Sequence, residues 1–194
     1  DEPRLGEHLR HRHDRAPLSA AQVEDVAPGA EFLDHVGREG EQVLIERLAE
    51  EGIRVAIGHT GADALVAQAA FDRGAGILTH AFNGMPGLSH RAPGPVGAAI
   101  ADERVTLELI LDGVHVDPLV ASVLFRSAPR RVALITDAMA AAGAADGAYL
   151  LGGRPVTVAG GVARIAGGGS IAGSTLTQDA ALRGALELGL DPVE

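Results

Sequence analysis

Four short apolar runs, "RVAIG", "GILT", "LELILDGV" and "RVALIT", each end on an ionisable residue, and helix-like segments separate them. Those residues are His59, His80, His115 and Asp137. This alternation constrains the fold more than any other feature, because short β-prone runs joined by single amphipathic helices form βαβ units and a parallel sheet. "ADALVAQAAFDRG" reads as a helix stopped at Gly74, "DPLVASVLFRSA" as a second and "EGEQVLIERLAEE" from Glu39 to Glu51 as an earlier one. The loop "AFNGMPGLSHRAPGP" leads to a small helix, and the strand interiors read as apolar. "YLLGGRPVTVAGGVARIA" breaks the alternation and predicts a β-hairpin inserted after the fourth strand; a final helix follows, from about Thr175 to Leu188. Residues 1–38 are polar and proline-punctuated and are expected to form a loop or short helix leading into the unit at 39–194.

In a parallel βα array the active site is built at the carboxyl ends of the strands, and neighbouring strands lie about 4.8 Å apart. Side chains from successive strand ends can therefore converge on one ion or substrate. The chain has no cysteine, and all 16 of its basic residues are arginine. Thiolate nucleophiles, cysteine zinc sites, Schiff bases and a lysine bridging two metals are thereby excluded within it. The remaining set suits metal-assisted hydrolysis: imidazoles hold a divalent ion, zinc or iron, and Asp137 moves a proton between water and leaving group. Two histidines alone make a weak site, so a third protein ligand is needed. His115 is available to bind substrate or polarise a carbonyl. Arg91 is either a solvated loop residue or a bidentate partner for a phosphate or carboxylate. "GGGSIAGS" is either an anion-binding nest or a flexible turn, and it does not match a nucleophilic-serine elbow.

A net charge of -10 argues against nucleic acid or an anionic membrane surface as a partner. Small molecules are favoured. With no cysteine, no secretory leader pattern and no apolar run long enough to span a bilayer, a cytoplasmic location is expected.

Taken together, "GHT", "THAFNGMP", "HRAPGPVGA", "LILDGVHV", "LITDAMAAAG" and "GGSIAGSTLT" resemble, in order, the N-acetylglucosamine-6-phosphate deacetylases of the amidohydrolase superfamily. The resemblance runs from about residue 52 to 190. It implies a partial (β/α)8 TIM-like barrel of the metal-dependent amidohydrolase type, with His59 and His80 as metal ligands and Asp137 as catalytic acid/base. It further implies that Asn83, Gly84, Arg91, Asp112, Gly113, Val114, His115, Ile171, Ala172 and Gly173 contact substrate. "GEHLRHRHDRAP" is similar to an earlier family loop, which would add Glu7 and His8 as a substrate-binding pair.

The implied reaction is deacetylation of N-acetylglucosamine-6-phosphate to glucosamine-6-phosphate and acetate. Alternatives are the same chemistry on N-acetylgalactosamine-6-phosphate or another acylamino sugar, or a non-catalytic phosphosugar-binding unit. A homodimer is the family's usual assembly. "NGM" stands where the family more often has "NAM", and counts as a small swap. The family's "LEGP" motif, whose glutamate is a metal ligand, is absent from this sequence, so the chain is expected to be part of a longer protein.

Overall fold

The computed structural model describes residues 39–167 and 169–190. The expected lead-in over 1–38, with Glu7 and His8, lies outside the described residues. The order of elements is α1 (Glu39–Glu50), β1 (Val55–Ile57), α2 (Ala64–Asp72), β2 (Ala75–Leu78), α3 (Gly94–Ala101), β3 (Thr106–Ile110), α4 (Pro118–Ser127) and β4 (Val132–Ile135). There follow β5 (Gly147–Leu151), β6 (Arg154–Ala159), β7 (Val162–Ile165) and α5 (Gln178–Glu187). The strands β1 to β4 form one parallel sheet in sequence order. The mixed α/β reading with a parallel sheet therefore holds.

Local chemistry sets the helix boundaries. The Asp63 carboxylate caps α2 by accepting from the Val66 N–H at 2.9 Å. Gly74, at φ 105°, ends the turn after α2, where a Cβ would lie 2.5 Å from the Ala49 Cβ of α1. Only glycine meets both demands. Asp117 caps α4 through the Leu119 N–H at 2.8 Å, with Pro118 in the first turn.

Leu78, Leu107 and Leu109 are fully buried and pack with Ala67, Ala70, Val96 and Leu124 from the helices. Small residues on α2 and α3 let the helices lie close to the strands, which is how a core with so few aromatic residues is filled. By the two-residue period of a strand, Thr106 and Glu108 point away from that core, to the other face of the sheet. Glu108 corrects the expectation of purely apolar strand interiors.

Where a two-stranded hairpin is expected, the chain forms three antiparallel strands, β5, β6 and β7. Asp146 accepts from the N–H groups of Gly160 and Gly161, at 2.5 and 3.1 Å, and so ties the β6–β7 turn to the entry of β5. The added strand closes a small core of its own around Val156, Val158 and Ala163.

At the amino-terminal end of β4, the Arg131 guanidinium donates to four backbone carbonyls. Nη1 reaches those of Ala99, Asp102 and Val105, each at 2.9 Å, and Nη2 reaches that of Ile100 at 2.7 Å. One side chain thus satisfies the carboxyl end of α3 and its connection to β3. Beside it, Asp102 is 8% exposed and pairs with Arg104 at 2.5 Å, while Gln68 donates to it at 2.8 Å. These contacts hold the Asp102 carboxyl well below the usual carboxylate range, with the Arg104 hydrogen bond the largest cause.

Candidate active site

The carboxyl ends of the parallel strands carry a conformational signature. His59 follows β1 with φ 43°, His80 follows β2 with φ 32°, and Asp137 follows β4 with φ 47°. Left-handed backbone at non-glycine residues costs on the order of 1 kcal/mol each, and such residues concentrate at functional sites. Three follow strands at this end and a fourth, Phe82 at φ 77°, lies in the loop after His80, against one, Arg130 at φ 62°, at the opposite end.

The imidazoles of His59 and His80 meet edge to face at 86°, with ring centroids 4.5 Å apart. His80 is buried, and its Nδ1 has no hydrogen-bond partner. His59 is more exposed. Its pKa is lowered, first by partial burial and then by the proximity of His80, while Asp137 pulls the other way. The Asp137 charge therefore reaches His59, and three of the four strand-end groups share one electrostatic environment.

Asp137 is held by a segment near the carboxyl end. The Ser174 N–H donates to the Asp137 carbonyl at 2.8 Å, and the Met139 N–H donates to the Ser174 carbonyl at 2.9 Å. The Ser174 hydroxyl donates to the Thr136 carbonyl. Gly173, at φ 59°, passes so close that a Cβ would lie 3.1 Å from the Asp137 carbonyl oxygen. Ile171 and Ala172 pair with β7 through Arg164 and Ala163. Residues 171–174 thus clip the Asp137 strand end. Ser174 is not among the expected site residues, since its hydroxyl partner Thr136 lies 38 residues back in sequence.

After β3, Asp112 organises its own loop. Its Oδ1 accepts from the N–H groups of Val114 and His115 at 2.9 and 2.8 Å, and its Oδ2 lies 2.7 Å from the His115 Nδ1. Burial pushes the Asp112 carboxyl up, but the hydrogen bonds from His115 and Val114 outweigh it and leave the pKa lowered. With Nδ1–H donating to a carboxylate, Nε2 of the neutral ring is the acceptor. Gly113, at φ 70°, makes the turn that allows this closure.

The loop after His80 folds back on the first histidine. The Asn83 N–H donates to the His80 carbonyl at 2.9 Å, and its amide donates to the Ala81 carbonyl at 3.2 Å. Gly84 lies against His59: at φ 62°, a Cβ there would stand 2.7 Å from the His59 Nδ1. Alanine at 84 would therefore strain the backbone and push on the His59 ring, so glycine here is more than a small swap. Arg91 is exposed in the segment entering α3. Among the described residues, no group of three or more His, Cys, Asp or Glu is placed to hold a metal ion. No described helix is long and apolar enough to cross a membrane.

Fold and site together define an α/β protein that gathers imidazoles and a carboxylate at the carboxyl edge of a parallel sheet. No family model matches the sequence. Among curated proteins, it is 50% identical over 158 residues to N-acetylgalactosamine-6-phosphate deacetylase of Escherichia coli O157:H7, covering 81% of this chain and 42% of that protein. It is also 54% identical over 116 residues to a protein of Escherichia coli strain K12 provisionally given the same name, covering 59% of this chain and 69% of the relative. Among solved structures it resembles a mutant N-acetyl-D-glucosamine-6-phosphate deacetylase from Mycobacterium smegmatis in complex with N-acetyl-D-glucosamine-6-phosphate. That match has a TM-score of 0.78 at 40% identity, over 91% of this chain and 48% of the other. The chain belongs to the N-acetylglucosamine- and N-acetylgalactosamine-6-phosphate deacetylase family. It spans less than half the length of the E. coli O157:H7 and M. smegmatis proteins.

Proposed function

We propose that this chain forms the catalytic half of a metal-dependent enzyme that deacetylates N-acetylglucosamine-6-phosphate, on a sheet that is part of a (β/α)8 barrel. The observation that carries the reading is the unpartnered, buried Nδ1 of His80 packed against His59, with Asp137 in electrostatic reach. A buried ring nitrogen without a partner is costly unless something binds it, and two facing imidazoles suit a zinc or iron ion. His59 and His80 would supply two of its ligands, and a third must come from residues beyond those described. When bound, the ion supplies Lewis-acid polarisation and makes water acidic enough to ionise near neutral pH.

The chain's own residues do the rest. The Asp137 carboxylate takes a proton from the attacking water and delivers it to the amine nitrogen as the amide C–N bond breaks. Its left-handed backbone, clipped by Ser174 and Gly173, fixes the direction of that carboxylate. His115, its Nδ1 held by Asp112, presents Nε2 to a sugar hydroxyl or the acetamido group. Asn83, Gly84 and the Ile171–Gly173 segment offer backbone groups at the rim, and Arg91 would pair with the 6-phosphate. Glu7 and His8 would complete the substrate pocket, the assembly would be a homodimer, and the location would be the cytoplasm.

A second reading, N-acetylgalactosamine-6-phosphate as substrate, is favoured by the 50% and 54% identities to relatives bearing that name. Acetate release from both phosphosugars by the complete protein, together with its metal content, distinguishes them. Asp137→Asn is expected to lower kcat by about 100-fold or more while metal stays bound. A variant with undiminished kcat would remove Asp137 from the proton path.

A further inference from the structure

One residue below the two histidines, the strands are locked to one another by groups outside the proposed proton path. Thr79, which precedes His80, donates its hydroxyl to the Glu108 Oε2 at 2.7 Å. The Glu108 carbonyl accepts from the Ala81 N–H, which follows His80, also at 2.7 Å. Glu108 therefore grips the chain on both sides of His80, by side chain before it and by main chain after it. On the far side of Thr79, Gly58 precedes His59. A Cβ at Gly58 would collide with the Thr79 Cγ2 and come within 3.3 Å of the His80 Cε1. Thr79 also receives β1 directly, its N–H donating to the Ile57 carbonyl at 2.9 Å.

Sheet stability alone does not call for this arrangement. A half-buried carboxylate in β3, where Leu107, Leu109 and Ile110 are fully buried, carries a desolvation cost that an apolar residue would avoid. His80, meanwhile, sits at φ 32°, a conformation that persists only when its surroundings over-determine it. The two facts answer each other.

We infer that Glu108, acting through Thr79, is a positioning residue that fixes the His80 imidazole against His59. The inference rests on the reading of these two histidines as metal ligands. Thr79 is the hinge of the lock: its hydroxyl faces Glu108 and its methyl faces Gly58, so one β-branched side chain sets the spacing of both strand ends. Groups that orient metal ligands in this way typically change metal affinity by about 10–100-fold when removed.

The test uses zinc affinity of the complete protein, measured by chelator competition, beside its thermal melting and its kcat and KM. Thr79→Val keeps the methyl contact and deletes the hydroxyl, and is expected to weaken zinc binding by about 10–100-fold. Glu108→Gln preserves both the hydrogen bond and the methyl contact and is expected to bind zinc close to the parent level. If Thr79→Val does not fold, Glu108→Met removes the same bond and is read on the same scale. A purely structural role would lower the melting temperature and leave zinc affinity of the folded protein unchanged, which overturns the inference. His80→Ala is the control: if it keeps parental zinc affinity, the metal reading itself fails. If it loses zinc while Thr79→Val does not, only the positioning role is refuted.

Discussion

Replacing Arg131 with methionine keeps the aliphatic stem and removes every donor of the guanidinium. Nη1 has two protons for three carbonyls, all at 2.9 Å, and Nη2 uses one proton on Ile100, so three N–H groups serve four acceptors. Hydrogen bonds from a charged donor contribute about 1.5–3 kcal/mol each, so three at the lower end amount to about 4.5 kcal/mol. Ala99, Asp102 and Val105 are buried and only Ile100 is half-buried, so water recovers little of that and the expected loss is about 4 kcal/mol. Against a typical domain stability of about 5–15 kcal/mol this is a large fraction. Lysine at 131 keeps the charge but cannot span both Ala99–Ile100 and Asp102–Val105, and is expected to lose about half as much. Urea unfolding followed by circular dichroism gives the shift in midpoint, with an unchanged slope confirming a simple loss of stability. Arg131→Met within about 0.5 kcal/mol of the parent, the range of an ordinary surface change, would refute the reasoning.

Two further outcomes follow from the electrostatics. Asp102 has a folded pKa depressed below its unfolded value near about 3.9, so its stabilisation is present above that pH and is lost as pH falls through the folded value. Asp102→Asn should therefore be less stable than the parent near neutrality, with the gap closing in acid-unfolding curves below about pH 4; a gap that stays constant with pH would contradict this. Asp112→Asn should turn the His115 ring over in tautomer, because an amide N–H facing Nδ1 places the proton on Nε2. Nitrogen-15 NMR of the imidazole reads the change directly, and a KM rise is expected from the lost acceptor.

Much of the fold is legible because its signals are local. Glycine stops, Asp63 and Asp117 caps and short apolar runs lie within a few residues of what they determine, and the four parallel strands fall where the runs predict. The strand-end positions of His59, His80 and Asp137 are visible for the same reason, whereas His115, expected at the end of its strand, lies five residues beyond β3 in the loop that Asp112 organises. What stays hidden is long-range. The grip of Ser174 on Thr136, the close approach of Gly84 to His59 and the Glu108–Thr79 bond join segments that no periodicity links. Glu108 reads as an interruption of an apolar run until the face of β3 it occupies is known. Three antiparallel strands form where a hairpin is expected, because the mostly exposed β5 lacks the alternation that marks β6.

The left-handed backbone at His59, His80 and Asp137 has a consequence for attempts to improve this protein. Glycine at each of these positions would relieve the stress on the main chain, by on the order of 1 kcal/mol apiece. At the exposed positions 59 and 137, heat resistance and the proposed chemistry thus pull in opposite directions. A library screened only for survival at high temperature should drift toward glycine at 59 and 137, discarding side chains the sheet holds at its rim, whereas at 80 the cavity left by the buried imidazole opposes the gain.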